Sequence, residues 1–272
     1  MIILIKLLFV IAVCFVVYIY LIAPRIFNKP DYSSLMGFHY AHRGLFNNSS
    51  NAPENSLNAF KCAVEHGYGI EFDVQLSKDG IPVVFHDASL KRMCNTDGNV
   101  WEFTLKELKE LRLGGSNQTI PTLTEVLDCI NGKVPVIIEY KLDIASTDVC
   151  RKANKLLKNY KGIYCIESFH PFALIWYRFK RPDIVRGQLS MEYLKDEVFK
   201  GKPLYTLLSL LFTNVMTRPD FIAYKHSDAS NLSFRICRKL GAMSFAWTIR
   251  SKKEYENVAD KFDMFIFDSF LL

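Results

Sequence analysis

No two of the seven cysteines stand in a CxxC pair, so the sequence carries no zinc site of the usual spacing. Cys14, Cys62, Cys94, Cys129, Cys150, Cys165 and Cys237 are dispersed, without a disulfide framework. They read as free thiols in a reducing compartment, which favours a cytoplasmic domain. A basic cluster is also absent: the net charge is only +6 and the lysines are scattered. Nucleic acid is therefore disfavoured as a partner, while an anionic substrate or an anionic membrane surface is suited. Internal repeats and low-complexity tracts are missing as well.

What is present first is a long apolar run. Ile2 to Ala23 is broken only by Lys6, and about 20 apolar residues cross a bilayer as a helix. A core helix is rarely apolar on every face at this length. A cleaved signal prefers two small residues before the cut, and Leu21-Ile22-Ala23 offers one. The run is expected to be a single-pass membrane anchor over 1–23. Lys6 before it and Arg25 and Lys29 after it nearly balance, so charge does not set the orientation. Residues 24–37 read as a linker, and 38–272 as one domain. Half of the residues are hydrophobic, enough for the core of a single α/β barrel of about 250 residues.

Within 38–272, short apolar runs alternate with amphipathic segments, the βα pattern of a parallel sheet. Strands are predicted at 39–42, 70–76, 82–86, 134–141, 163–168, 185–189, 221–224, 244–248 and 264–267. A barrel needs eight, so one is in excess, and the third is short. Ser56 marks one helix start, and capping boxes are expected at Thr104, Thr122 and Ser251. Residues 87–119 interrupt the rhythm with a turn cluster at 95–99. A second apolar run, 204–212, is too short to span a membrane. It reads as a buried barrel helix, or as a membrane-contacting helix near the mouth.

The polar residues at the strand ends have a chemistry in common. Glu71 and Asp73 are two apart on a strand and so share a face. Their neighbours Ile70, Phe72 and Val74 are apolar. Paired buried carboxylates repel, and a divalent cation relieves that penalty. Glu139 and Lys141 repeat the spacing, with Glu139 as a third oxygen ligand and Lys141 reaching phosphate or balancing the anionic cluster. Three carboxylates suit one Mg²⁺ or Ca²⁺ without choosing between them. His42 and His86 end strands beside this set and suit acid and base roles, in an order the sequence leaves open. Arg43 offers a bidentate fork for phosphate oxygens or an ion pair with Glu54. Glu54 is expected to hold Arg43 and His42 in place. Asp87 can orient the His86 imidazole or cap the following turn, and the cap is the favoured reading. Ser168, Gln188 and Trp247 are placed at the pocket wall, Trp247 to pack on substrate. His39, His66, His170 and His226 read as structural or surface groups.

The motifs Ala41-His42-Arg43-Gly44, Pro53-Glu54-Asn55-Ser56, Glu71-Phe72-Asp73, Phe85-His86-Asp87, Ile138-Glu139-Tyr140-Lys141, Gly187-Gln188 and Ala246-Trp247-Thr248-Ile249 together resemble the glycerophosphodiester phosphodiesterase family, part of the phospholipase C-like phosphodiesterase superfamily. The resemblance spans about 38–270. It implies a TIM (β/α)8 barrel with a short insertion after the third strand. It also implies hydrolysis of glycerophosphodiesters to glycerol phosphate and an alcohol, through attack by a glycerol hydroxyl and a cyclic phosphate. Three positions depart from the family pattern at the pocket rim: His170, Arg250 and the run Phe267-Asp268-Ser269-Phe270. A lysophospholipase D or phospholipase C-like activity on membrane lipids is the alternative enzyme. A catalytically silent membrane-bound binding protein is the non-enzymatic one.

Overall fold

The computed structural model describes residues 1–142 and 146–272. Nine strands form one sheet: β1 (His39–His42), β2 (Gly69–Leu76), β3 (Pro82–Val84), β4 (Val136–Tyr140), β5 (Tyr164–Ser168), β6 (Arg186–Ser190), β7 (Phe221–Lys225), β8 (Met243–Ile249) and β9 (Met264–Phe267). The order β1-β9-β8-β7-β6-β5-β4-β2 closes through a β1–β2 pairing into a parallel barrel. The excess strand is β3, which pairs antiparallel with β2 outside the barrel. It stops at Val84, so His86 lies just past a strand rather than at its end.

The helices are α1 (Ile2–Ile22), α2 (Leu57–Glu65), α3 (Lys91–Cys94), α4 (Leu105–Glu110), α5 (Leu123–Ile130), α6 (Asp148–Leu157), α7 (Pro171–Lys180), α8 (Pro203–Ser209), α9 (Asn214–Thr217), α10 (Leu232–Lys239) and α11 (Lys252–Val258). Capping boxes start α4 at Thr104 and α5 at Thr122, each with a reciprocal glutamate. The third expected box is half made. Ser251 accepts from the Glu254 N–H, but the Glu254 carboxylate takes the Arg250 N–H instead. The segment 87–119 builds its own small core, where Leu90, Met93, Val100, Leu108 and Leu113 pack on Val83 and Phe85.

The barrel interior is graded from bottom to top. Tyr40, Ile137, Cys165, Phe221, Phe245 and Ile266 fill its lower half. Two steps up the strands the same inward face carries His42, Glu71, Glu139, Glu167 and Trp247. Aromatic filling requires Gly187: a Cβ there would come within 1.9 Å of the Phe221 ring.

Residues 24–37 are not a free linker. Leu35 plugs the barrel floor at 2 % exposure, and Tyr40 Oη donates to its carbonyl at 2.8 Å. Arg25 donates to Pro182 O at 2.8 Å, and Lys29 to Gly241 O. The end of α1 is likewise built in. Ile22 is fully buried. Its carbonyl accepts from Asn214 Nδ2 at 2.8 Å, and Arg218 Nη1 donates to Tyr20 O and Ala23 O at 2.9 and 2.8 Å. These bonds satisfy the orphan carbonyls of the helix end. The run 204–212 is not a buried barrel helix either: α8 is an extra helix above the barrel, with Leu204 and Leu207 exposed.

Candidate active site

Strand polarity brings the candidate residues to one mouth. Parallel strands point their C-terminal ends the same way, and closure converges those ends. Register sets Asp73 beside Glu139 on β2–β4 and His42 beside Glu71 on β1–β2. A cavity of about 150 Å³ is lined by His42, Arg43, Glu71, His86, Glu139, Lys141 and Trp247, with Glu167 beneath. Asp73 is buried under it, and Glu54 lies to one side.

One carboxylate oxygen each from Glu71, Asp73 and Glu139 lies within 4.8 Å of the others, and all three residues are buried. Lys141 Nζ sits between two of them, 3.0 Å from Asp73 Oδ1 and 2.7 Å from Glu139 Oε1. Burial pushes the Glu71 carboxyl well up, and Asp73, Glu139 and Glu167 add to that. Burial raises Glu139 too, against the pull of Lys141. Asp73 is the exception. Burial alone would raise it, but Lys141, His86, Arg43 and an amide donated by Asn55 at 2.9 Å hold it well below the carboxylate range. Such an all-oxygen, net-anionic donor set fits a hard divalent cation, and the Lys141 ammonium marks where positive charge is wanted.

Each histidine is held by a carboxylate. His42 Nδ1 is 2.9 Å from Asp268 Oδ2, and His86 Nδ1 is 2.6 Å from Asp87 Oδ1. Carboxylates accept, so each Nδ1 carries the proton and each Nε2 is left free for chemistry. Burial lowers His42 below the usual imidazole value, with the Asp268 bond pulling the other way. Asp87 is thus the orienting partner of His86 and not simply a cap. Arg92 grips Asp87 at 2.6 Å and Glu54 at 2.6 and 2.8 Å.

Arg43 forms the expected ion pair with Glu54 at 2.7 Å. Its backbone is left-handed, with φ of +57°. That turn points its N–H at Glu71 Oε2, 3.1 Å away, and its guanidinium lies 3.6 Å from Asp73. Glu54 is held at about 2, despite burial, by Arg92 and Arg43. Trp247 packs edge-on against Phe169 at 5.4 Å, and its buried Nε1 has no hydrogen-bond partner among the described residues. Ser168 borders the site, whereas the Gln188 amide is spent on the Ser168 and Leu189 carbonyls. Asn55, Arg92 and Glu167 contact the candidate site beyond the sequence-derived set, and Asp268, expected only at the pocket rim, is the partner of His42.

A family profile described as the glycerophosphoryl diester phosphodiesterase family matches residues 42–262. A glycerophosphodiester phosphodiesterase of Caldanaerobacter subterraneus subsp. tengcongensis is 33% identical over 231 residues, covering 80% of this chain and 88% of the relative. The barrel superposes on an Oleispira antarctica phosphodiesterase solved with the product sn-glycerol-3-phosphate, with a TM-score of 0.70 and 26% identity over 86% of this chain and 94% of that one. A glycerophosphodiester phosphodiesterase of Thermotoga maritima aligns with a TM-score of 0.64 and 29% identity over 85% of this chain and 94% of that one. With its closed barrel and its strand-end motifs, the chain belongs to the glycerophosphoryl diester phosphodiesterase family and is a phosphoric diester hydrolase.

Proposed function

We propose that the chain cleaves glycerophosphodiesters to glycerol phosphate and an alcohol, with one divalent cation and with His42 and His86 as the proton-transfer pair. The observation that carries this reading is the pair of carboxylate-held imidazoles, His42–Asp268 and His86–Asp87, flanking one acidic cluster. Glu71, Asp73 and Glu139 would hold the cation, Mg²⁺ or Ca²⁺, which when bound supplies positive charge for phosphate oxygens. Arg43 and Lys141 present cationic donors to the same oxygens. One histidine takes the proton of a glycerol hydroxyl as that oxygen attacks phosphorus. The other delivers a proton to the departing alkoxide. Water then opens the cyclic phosphate in the reverse sense. Trp247 packs on the glycerol carbons, and Glu54 fixes Arg43.

The helix α1 is proposed as a retained membrane anchor. It is 21 residues long and holds an 18-residue stretch of mean hydropathy 3.1, and its last turn is part of the folded domain, as a cleaved signal would not be. The free cysteines favour a cytoplasmic side for the barrel.

Two measurements test the chemistry on a soluble substrate such as glycerophosphocholine. Chelation is expected to abolish hydrolysis, and Mg²⁺, Mn²⁺ or Ca²⁺ to restore it; full turnover in chelator removes the cation from the proposal. His42→Ala and His86→Ala are each expected to lower kcat about 10²-fold or more with the melting temperature kept. Near-normal turnover in either variant means that histidine is misassigned.

A further inference from the structure

Arg43, Lys141 and Arg250 line the catalytic cavity, and the first two are already paired. Arg43 Nη1 lies 2.7 Å from Glu54, and Lys141 Nζ lies 2.7 Å from Glu139 and 3.0 Å from Asp73. Arg250 differs. Only its Nε meets a carboxylate, 3.3 Å from Asp268 Oδ1, the oxygen that His42 does not use. Its two terminal nitrogens have no acceptor among the described residues, and its side chain is 64% exposed. The surroundings are basic as well. Lys225 ends β7 in register with Trp247, and Lys252 and Lys253 open α11. All three lysines are exposed, and none makes an ion pair among the described residues. The acid at this corner is Glu254, whose carboxylate takes the Arg250 backbone N–H at 2.7 Å. Asp268 is occupied by His42 and Ser269. The corner thus carries an unspent surplus of positive charge.

Barrel geometry fixes which part of a substrate meets this corner. Trp247 and Arg250 stand at the end of β8, and Glu139 and Lys141 at the end of β4. In the closed order β1-β9-β8-β7-β6-β5-β4-β2, β4 lies four strands from β8 in either direction, so the two ends face each other across the mouth. On the β4 side the cavity joins a larger groove of about 900 Å³ through His86, Glu139 and Lys141, with Leu204 and Leu208 in its wall. The departing alcohol has its exit there. The glycerol, packed on Trp247, then turns its far carbon toward Arg250. A lone hydroxyl on that carbon leaves the guanidinium fork half used. A phosphate accepts both terminal N–H groups and meets the surplus charge.

We propose that Arg250 makes the chain selective for phosphodiesters whose attacking glycerol carries a second phosphate on its far carbon. This rests on the phosphodiesterase reading above. The middle hydroxyl of such a glycerol is free and lies between the two phosphates. Its oxygen bonds to the phosphorus at the acidic cluster as the bond from that phosphorus to the departing alcohol's oxygen breaks. Its proton leaves through one histidine, while the departing alkoxide gains one from the other. Water then opens the cyclic phosphate. The product is a glycerol bisphosphate, or its ester where the second phosphate is itself esterified. Two sources supply this chemistry: a glycerophosphate chain, and the deacylated head group of a lipid with two phosphates.

The test uses the full-length chain in detergent with a divalent cation and glycerophosphocholine as the single-phosphate reference. Bis(glycerophospho)glycerol represents the head group, and a glycerol-ended glycerophosphate chain with three phosphates represents the polymer. Each can be cut two ways. Attack by an internal glycerol, with its second phosphate on Arg250, releases an end as free glycerol. Attack by a terminal glycerol releases glycerol phosphate. Wild type is expected to release free glycerol at least tenfold faster than glycerol phosphate at initial rate from one substrate or both. Arg250→Gln is expected to lower kcat/KM on that substrate at least tenfold more than on glycerophosphocholine, mainly through KM, and to turn the first product toward glycerol phosphate. Arg250 also touches Asp268, so a loss through His42 lowers all substrates alike, and the ratio reads the second phosphate alone. Arg250-dependent release of glycerol from either substrate supports the proposal, and the higher kcat/KM names the source. Terminal cutting of both by wild type, or a ratio that Arg250→Gln leaves unchanged on both, overturns the selectivity and leaves the phosphodiesterase reading standing. Failure on every substrate, glycerophosphocholine included, overturns that reading itself.

Discussion

At the residue scale, His42 and Asp268 illustrate what a linear reading reaches. His42 announces itself by its strand-end position beside Arg43. Asp268 has the same placement, one residue past β9, but its pairing with a residue 226 positions away exists only because β9 closes on β1. Arg92 gives no signal at all, since it acts from inside the insertion. Asp268→Asn removes the carboxylate that raises His42. The limb of the kcat/KM–pH profile set by His42 is therefore expected to move to lower pH, with kcat down roughly 10-fold or more. An unmoved profile means that Asp268 does not act through His42. The acidic cluster gives a second pH effect. Glu71, Glu139 and Glu167 have raised values in the fold, whereas unfolded glutamate titrates near about 4.3. The metal-free fold thus binds more protons than the unfolded chain above that value, and stability falls as pH rises through the raised values. Asp73 is lowered, so its contribution is present at neutral pH and is lost only as pH falls into the acid range. A divalent cation replaces those protons. Mg²⁺ or Ca²⁺ is expected to raise the melting temperature more at pH 8 than at pH 6; the opposite order in calorimetry counts against the cluster as the cation site.

At the element scale, all nine predicted strands exist, because period and apolar runs report burial directly. Their edges and roles were less legible. Residues 82–86 look like a barrel strand by composition, yet β3 turns back antiparallel because Gly80 and the Ser77–Asp79 hydrogen bond make a tight turn there. The run 204–212 misleads for a related reason: apolar residues that line a groove or face a rim look the same in sequence as residues facing a core. Gly187 was visible only as part of a motif. Its structural reason is the Phe221 ring, itself packed at a tilt against Phe245, 4.5 Å between centres. Gly187→Ala forces that pair aside in a closed barrel, so a loss of about 1–3 kcal/mol is expected in urea unfolding. An unchanged midpoint would show that the lower core yields easily.

At the scale of the whole molecule, anchor and barrel share one boundary. A sequence divides the chain at the end of the apolar run, since hydropathy drops there. Physical continuity divides it earlier, near Tyr18, where the helix stops being exposed and starts to pack. The last turn of α1 supplies carbonyls to Asn214 and Arg218, and Arg25 lies 3.7 Å from the buried Asp220, which also faces Arg186. Burial raises the Asp220 carboxyl, and Arg186 and Arg25 oppose that. Removing residues 1–29 takes away Arg25 and Lys29, two of its cationic neighbours, and uncovers the Asn214 amide, a cost that a free linker would not carry. Deleting 2–15 removes only exposed helix. The two truncations are therefore expected to part. The shorter deletion should hold the melting temperature within about 2 °C of the full chain, and the longer one should lower it by about 5 °C or more. Glycerophosphocholine turnover at 25 °C should survive the shorter deletion, because no catalytic side chain lies in it, while turnover of a bilayer-held lysophospholipid, the substrate of the alternative enzyme, should drop. Identical melting temperatures for both truncations would return residues 18–29 to the status of a tether.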